Sequence, residues 1–261
     1  MNWSLHGKSA LVCGSTAGIG KATALALANA GASVTLMARS EAKLKATLAE
    51  LSAGDGQSHD YLVADFSEPQ NVRQTVEQAL ADHNWTVLIN NTGGPPGGPI
   101  LDASAEAFLA GFNAHLVNNH ALVQLLTPRF KREKFGRVVN IISTSVKAPI
   151  PGLGVSNTIR GAVASWAKTL AGELGSFGVT VNNVLPGFTD TDRLGTLFEA
   201  KAKKLGTTLE AIRDDAIAGI PAGRIGSADE IAAAVLFLAS PAASYVNGIN
   251  LPVDGGRLPT L

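Results

Sequence analysis

The chain has 261 residues, of which 46% are hydrophobic and only 16% charged, and its 21 Lys+Arg are balanced by 21 Asp+Glu. That length is enough for a substantial core, and the balance leaves no bulk basic field to draw nucleic acid. No apolar run approaches the roughly 18 residues that mark a membrane span, and MNWSLHGKSALVC lacks the cationic start and small-residue cleavage site of a signal peptide. Cys13 is the single cysteine, so no internal disulfide can form, and no Cys/His cluster has metal-ligand spacing. A cytoplasmic, metal-free protein is expected.

Taken in order, the chain alternates short apolar runs with amphipathic ones. SALVC (9–13) reads as a strand, and CGSTAGIG then leads into the helical ATALALANA (22–30), closed by the cap-like Gly31. ASVTLMA (32–38) and DYLVAD (60–65) read as strands, NVRQTVEQALADH (71–83) as a helix, and TVLIN (86–90) as the next strand. RVVNIIS (137–143) and VTVNNVL (179–185) are strands set among long helices over about 104–131 and 155–176. A last strand, INLPV (249–253), follows the helix DEIAAAVLFLAS (229–240). Near-continuous apolar strands between helices predict an α/β fold, a doubly wound parallel sheet in a single domain over 1–261. Ligands then bind at the carboxyl ends of the strands. Residues 193–220 are expected to form two helices acting as a substrate lid, beside a large and mostly apolar pocket.

The first turn carries Gly14, Gly18 and Gly20 before a helix. Glycine lets backbone approach a ligand closely, and a helix N-terminus favours a pyrophosphate; the alternative is a tight turn with no ligand. The spacing is Gly-x-x-x-Gly-x-Gly. Asp65 stands after the third strand, NNTG occupies 90–93, PGFTDTD 186–192 and VDGG 253–256. These motifs, in this order, resemble the short-chain dehydrogenase/reductase family; members of it with a Ser-Asn-x-x-Arg segment like 156–160 and a loop like GGPPGG (93–98) are 3-oxoacyl-carrier reductases, which this chain resembles in those two features. The resemblance implies a Rossmann fold and a nicotinamide cofactor. Gly14, Ser15, Gly18, Ile19 and Gly20 would cradle it, with Asp65 and Phe66 at the adenine. Asn91 and Gly93 would line the strand end, and Pro186, Gly187, Thr189 and Thr191 would close over the nicotinamide. An NAD site carries an acid at the end of the second strand, bonded to the ribose 2′-hydroxyl. Here that position reads Met37-Ala38-Arg39-Ser40. Arg39 suits a 2′-phosphate, so NADP(H) is the expected cofactor; the alternative is a solvated arginine.

The family's chemistry rests on a serine, a Tyr-x-x-x-Lys thirteen residues later, and an asparagine on the preceding long helix. Ser143 matches the serine, but Ser156 stands where the tyrosine belongs and Arg160 where the lysine belongs. His115 takes the asparagine position, with Asn118 one turn later. Tyrosine becomes a usable acid when a neighbouring ammonium lowers its pKa of about 10. A serine hydroxyl offers a hydrogen bond but hardly a proton, and arginine keeps its charge without relaying protons. Histidine, which titrates near neutrality, is the replacement that gains ability. Taken without the family, Ser156 and Arg160 also fit a helix cap and a solvated face. Two readings stand: an NADP(H)-dependent oxidoreductase on a carbonyl/alcohol pair, catalysed through Ser143, Ser156, Arg160 and His115, or a cofactor-binding protein with little catalysis, serving as sensor or assembly partner. The resemblance also implies a homotetramer or homodimer built on the two long helices.

Overall fold

The computed structural model describes residues 2–260. In chain order it runs β1 (Ser9–Cys13), α1 (Gly18–Asn29), β2 (Ser33–Ala38), α2 (Glu41–Leu48), β3 (Asp60–Val63), α3 (Pro69–Ala79) and β4 (Val87–Asn90). It continues with α4 (Ala105–Phe112), α5 (Asn118–Glu133), β5 (Gly136–Ile141), α6 (Gly154–Leu174) and β6 (Val179–Pro186). The last elements are α7 (Asp192–Leu205), α8 (Leu209–Ala218), α9 (Ala228–Ala239) and β7 (Asn250–Val253). The seven strands form one parallel sheet in the order β3-β2-β1-β4-β5-β6-β7. The chain reverses direction across the sheet between β1 and β4, which opens the crevice where such sheets bind ligands.

Successive strand residues point to opposite faces, and both faces are apolar because helices cover both. Val12, Leu36, Ile89, Val139 and Val184 pack with α1 and α9 on one side. Leu11, Cys13, Met37, Leu88, Val138 and Val181 pack with α3, α5 and α6 on the other. Burial in this second layer pushes the Cys13 thiol well above its ordinary range, so it is a packed hydrophobe and not a nucleophile.

Four asparagines cross the sheet in register. Asn90 donates to Asn140, Asn140 to Asn183, and Asn183 to Asn250, each through Nδ2 to Oδ1 at 2.8 Å. The ladder runs from the carboxyl end of β4, through β5 and the middle of β6, to the first residue of β7, and its first three members are buried. A buried amide is costly unless its partners are present, so each asparagine fixes the register of the next strand.

Several boundaries differ from the sequence reading. The third strand stops at Val63 because Asp65 turns to accept hydrogen bonds from the Ser67 N–H and hydroxyl, both at 2.9 Å. The fifth stops at Ile141, and Ser143 caps a short 3-10 turn by accepting from the Ser145 N–H at 3.1 Å. The first of the long helices is interrupted by a π-turn over Asn113–Val117 and ends at Lys134, whose φ of 50° is left-handed. No described helix is long and apolar enough to cross a membrane.

Candidate active site

The glycine turn is built for close approach. Gly14 has φ of 59° and Gly18 of 50°, which side chains rarely adopt. A Cβ on Gly20 would collide with the Gly14 carbonyl oxygen, and one on Gly14 with the Asn91 carbonyl oxygen. The Asn91 amide ties this turn to β4, donating to the carbonyls of Gly14 (3.1 Å) and Cys13 (3.3 Å). A cavity of about 450 Å³ opens over the N-terminus of α1, lined by Gly14, Gly18, Ile19, Gly20, Gly93 and Thr191 among others. Ser15 does not face it: the residue is buried and its hydroxyl accepts from the Met37 N–H at 3.0 Å. Its side chain holds the turn to β2.

A second cavity, of about 720 Å³, extends from the end of β2 and is lined by Thr16, Arg39, Asp65, Phe66 and His115. Arg39 is exposed there and makes no ion pair among the described residues. The two Ser67 bonds hold the Asp65 carboxyl below its usual range, with the charge of Arg39 a smaller contribution. Ser40 takes the N-cap position of α2 without a capping hydrogen bond.

The third cavity, about 240 Å³, sits at the carboxyl ends of β5 and β6. Ser143, Ser156 and Arg160 all line it, with Ile19 and Asn91 from the glycine-turn side and Pro186, Gly187, Thr189 and Thr191 from the segment after β6. The cap-and-solvated-charge alternative is excluded. Leu153, not Ser156, is the N-cap of α6, and Arg160 is only 8% exposed. Asn157 fixes this first turn, donating to the Ile150 carbonyl (2.9 Å) and accepting from its N–H (3.3 Å). Arg160 donates from Nη1 to the Ile141 carbonyl at 3.2 Å, while its buried Nε has no partner. Burial, and then the charge of Arg193, brings the Arg160 pKa down to about 10, which leaves it charged at neutral pH.

His115 is placed differently. It lies in the π-turn, 2% exposed, with Nδ1 2.6 Å from the Thr92 hydroxyl and Nε2 without a partner. It borders the β2-side cavity and not the one holding Ser143. Burial first, then the charges of Arg160 and Arg193, push its pKa down to about 3. The expected titration near neutrality is therefore absent: His115 is neutral across the physiological range. Asn118, one turn on, donates to the Phe66 carbonyl at 2.7 Å and so braces the β3 loop.

The wall of the cavity holding Ser143 is mostly apolar, as expected, but the cavity is not the large one expected. It is small, and Arg193 and Arg257 join Arg160 in its wall. Sequence reasoning missed both arginines, which lie on α7 and after β7 and meet only through the topology.

A parallel sheet with this strand order, a glycine turn under a cleft and a serine at the end of β5 define a nucleotide-binding oxidoreductase of the Rossmann type. The sequence matches a family described as Enoyl-(Acyl carrier protein) reductase over residues 14–257, and the chain belongs to this short-chain dehydrogenase/reductase group. It is 34% identical over 257 residues to the 3-oxoacyl-[acyl-carrier-protein] reductase FabG of Pseudomonas aeruginosa, covering 97% of this chain and 98% of that protein. In structure it resembles L-sorbose reductase from Gluconobacter frateurii, solved with NADPH and L-sorbose (TM-score 0.93, 27% identity, all of both chains covered). It also resembles a 3-oxoacyl (acyl-carrier-protein) reductase from Agrobacterium tumefaciens with NADP bound (TM-score 0.87, 26% identity, 98% of this chain and 96% of that one).

Proposed function

We propose that the protein is an NADP(H)-dependent oxidoreductase acting on a carbonyl/alcohol pair through an altered set of catalytic residues. The observation that carries this reading is the convergence of Ser143, Ser156 and Arg160 on one cavity beside the glycine turn. The residues present fit the cofactor, because Gly14, Gly18 and Gly20 form a tight turn that side chains would disrupt, at the mouth of the cavity over the N-terminus of α1. The backbone of Gly18, Ile19 and Gly20 would hold the pyrophosphate at the start of α1. Arg39 would pair with the 2′-phosphate, and Asp65 and Phe66 would face the adenine. Asn91 and Gly93 would border the nicotinamide ribose, Arg160 would bond it, and Pro186, Gly187, Thr189 and Thr191 would cover the ring. NADP and NADPH in the two structural neighbours support this assignment.

The cofactor, when bound, supplies or accepts the hydride. Around the substrate, the Ser143 and Ser156 hydroxyls offer hydrogen bonds to the carbonyl oxygen, and Arg160 lowers the cost of negative charge developing there. Neither serine is an acid comparable to tyrosine. The alkoxide oxygen left by hydride addition would take its proton from water; orientation of reactants is worth roughly 7–11 kcal/mol, against about 10²–10⁴-fold for general acid catalysis, so a well-aligned site would retain slow turnover. His115 is assigned to holding Thr92 and the loop after β4, not to the proton. Residues 193–220 serve as the lid, and the protein assembles as a homotetramer or homodimer.

One observation favours the second reading, a cofactor-binding protein with little catalysis. The chain has only two tyrosines; Tyr61 is bonded to Glu41 at 2.9 Å and Tyr245 is fully exposed, so neither reaches the cavity. Calorimetric titration decides the cofactor: NADPH is expected to bind more tightly than NADH, and Arg39→Ala to weaken NADPH selectively. Equal or tighter NADH binding to the unaltered protein refutes the assignment. Absence of any NADPH-dependent carbonyl reduction alongside tight NADPH binding moves the protein to the second reading.

A further inference from the structure

We propose that the substrate of this site is a small oxo- or hydroxy-acid whose carboxylate is held by Arg160, Arg193 and Arg257. The inference rests on the reading of this cavity as the carbonyl site and names what enters it.

Three arginines line the cavity and no aspartate or glutamate does, among the described residues. The chain as a whole is neutral, with 21 cationic and 21 acidic residues, so this concentration is local. None of the three arginines takes part in an ion pair among the described residues. Arg160 is buried, yet it makes one hydrogen bond and leaves Nε unpartnered. Contrast Arg137, the other buried arginine, which gives bonds to the carbonyls of Gly136 (2.8 Å), Gly178 (3.2 Å) and Ser240 (3.3 Å). Arg137 is a finished structural residue; Arg160 is not. A buried charge with so few partners is unfavourable; the nicotinamide ribose of the proposed cofactor would take one Arg160 donor, and an anion in the cavity would balance the charge that remains.

Gly94 brings two of the charges together. A Cβ there would lie 2.6 Å from Arg193 Nη2 and 3.4 Å from Arg160 Nη2. The two guanidinium tips are therefore nearer to each other than the sum of those distances, a repulsive arrangement unless an anion sits between or beside them. Arg257 stands at the wall carrying Phe188, its guanidinium 4.4 Å from the ring centroid. That stacking leaves the planar fork free to pair with a carboxylate.

The cofactor pyrophosphate does not account for all three. Arg193 borders both this cavity and the one over the glycine turn, but Arg160 and Arg257 border only this one. The size also fits a small ligand: about 240 Å³ lies below the roughly 300–1,000 Å³ of drug-sized sites.

The test uses the full-length protein, with and without saturating NADPH. It is titrated calorimetrically with 3-oxobutanoate and with ethyl 3-oxobutanoate, which has the same carbonyl without the charge. The acid is expected to bind at least about tenfold more tightly than the ester in the presence of NADPH, as charge-assisted pairing implies. Arg257→Leu is expected to remove that preference while leaving NADPH binding unchanged, and Arg193→Ala to reduce it; thermal melting of each variant confirms folding. Equal binding of acid and ester, or an acid preference untouched by both variants, overturns the proposal. Acid binding that NADPH displaces assigns the arginines to the pyrophosphate and likewise overturns it. Failure to bind NADPH at all defeats the functional reading instead, and the acid–ester comparison on the cofactor-free protein still decides the anion site.

Discussion

At His115, burial overrides the intrinsic pKa. The imidazole is pushed down to about 3, so between roughly pH 6.5 and pH 3 the unfolded chain takes up a proton that the folded chain does not. Stability attached to this group is therefore present above pH 6.5 and is lost as pH falls toward 3, by at most about 1.4 kcal/mol per pH unit. His115→Asn should flatten that acid decline in urea unfolding measured across the range, and it should leave the turnover profile between pH 6 and 8 unchanged in shape. A turnover inflection near pH 6.5 that disappears in the variant would restore His115 as the acid. The complementary change is Ser156→Tyr with Arg160→Lys. If proton supply limits turnover, kcat for carbonyl reduction should rise by roughly a hundredfold, within the usual range of general acid catalysis. Because a lysine ammonium keeps the charge of Arg160 but loses its planar fork, KM for acidic substrates should rise in the same variant. The substitutions themselves were legible in the sequence, since Ser143, Ser156 and Arg160 keep the family spacing. The state of His115 was not, because it depends on burial in the π-turn and then on two arginines, an environment that only the folded chain assembles.

Among the elements, the parallel strands were readable because each is an unbroken apolar run, and the observed bounds fall within two residues of those expected. The asparagine ladder was not, although all four residues are in plain view. An asparagine inside a strand looks like a polar exception until β4–β7 are aligned and the exceptions prove to be neighbours. Asn140 is the sensitive member, since it donates to Asn183 and accepts from Asn90. Asn140→Val should leave an unmatched donor on one side and an acceptor on the other. With about 1–3 kcal/mol for each of the two stranded groups, the loss should be roughly 2–6 kcal/mol, read as a lowered urea midpoint with unchanged m. A loss below about 1 kcal/mol would mean that water or a shift of the sheet satisfies the two groups. Helix α7, in the proposed lid, behaves oppositely. Gly195 lies inside α7 with a normal φ and no heavy atom within 4 Å of the place its Cβ would take. Gly195→Ala should stabilise by about 0.5–1 kcal/mol and, if lid motion limits product release, lower kcat without altering NADPH affinity.

For the whole molecule, the long helices α5 and α6 are the surfaces through which we expect assembly. Much of the apolar content of residues 162–174 is already used within the chain, as Val163, Ala164, Ala167, Ala171 and Leu174 are buried against the sheet. Exposed Leu109 and Val117, on α4 and the π-turn, remain. Light scattering at micromolar concentration should report a tetramer, and a monomeric mass would remove the assembly from the reading. The strand order has a further consequence, in the time domain. β1 pairs with β2 across a short stretch of chain, Ser9 with Ser33, but with β4 across a long one, Ala10 with Val87. The bond that locks the glycine turn, from Asn91 to the Gly14 carbonyl, spans 77 residues. Closing such a loop is slower and entropically costlier than pairing neighbours. During synthesis, the first two strands and α1 therefore emerge and meet well before the other wall of the cleft exists. The cleft is a late seam of the folding reaction, and a nascent chain released before β4 would hold the complete glycine motif and still lack the other wall that a nucleotide needs.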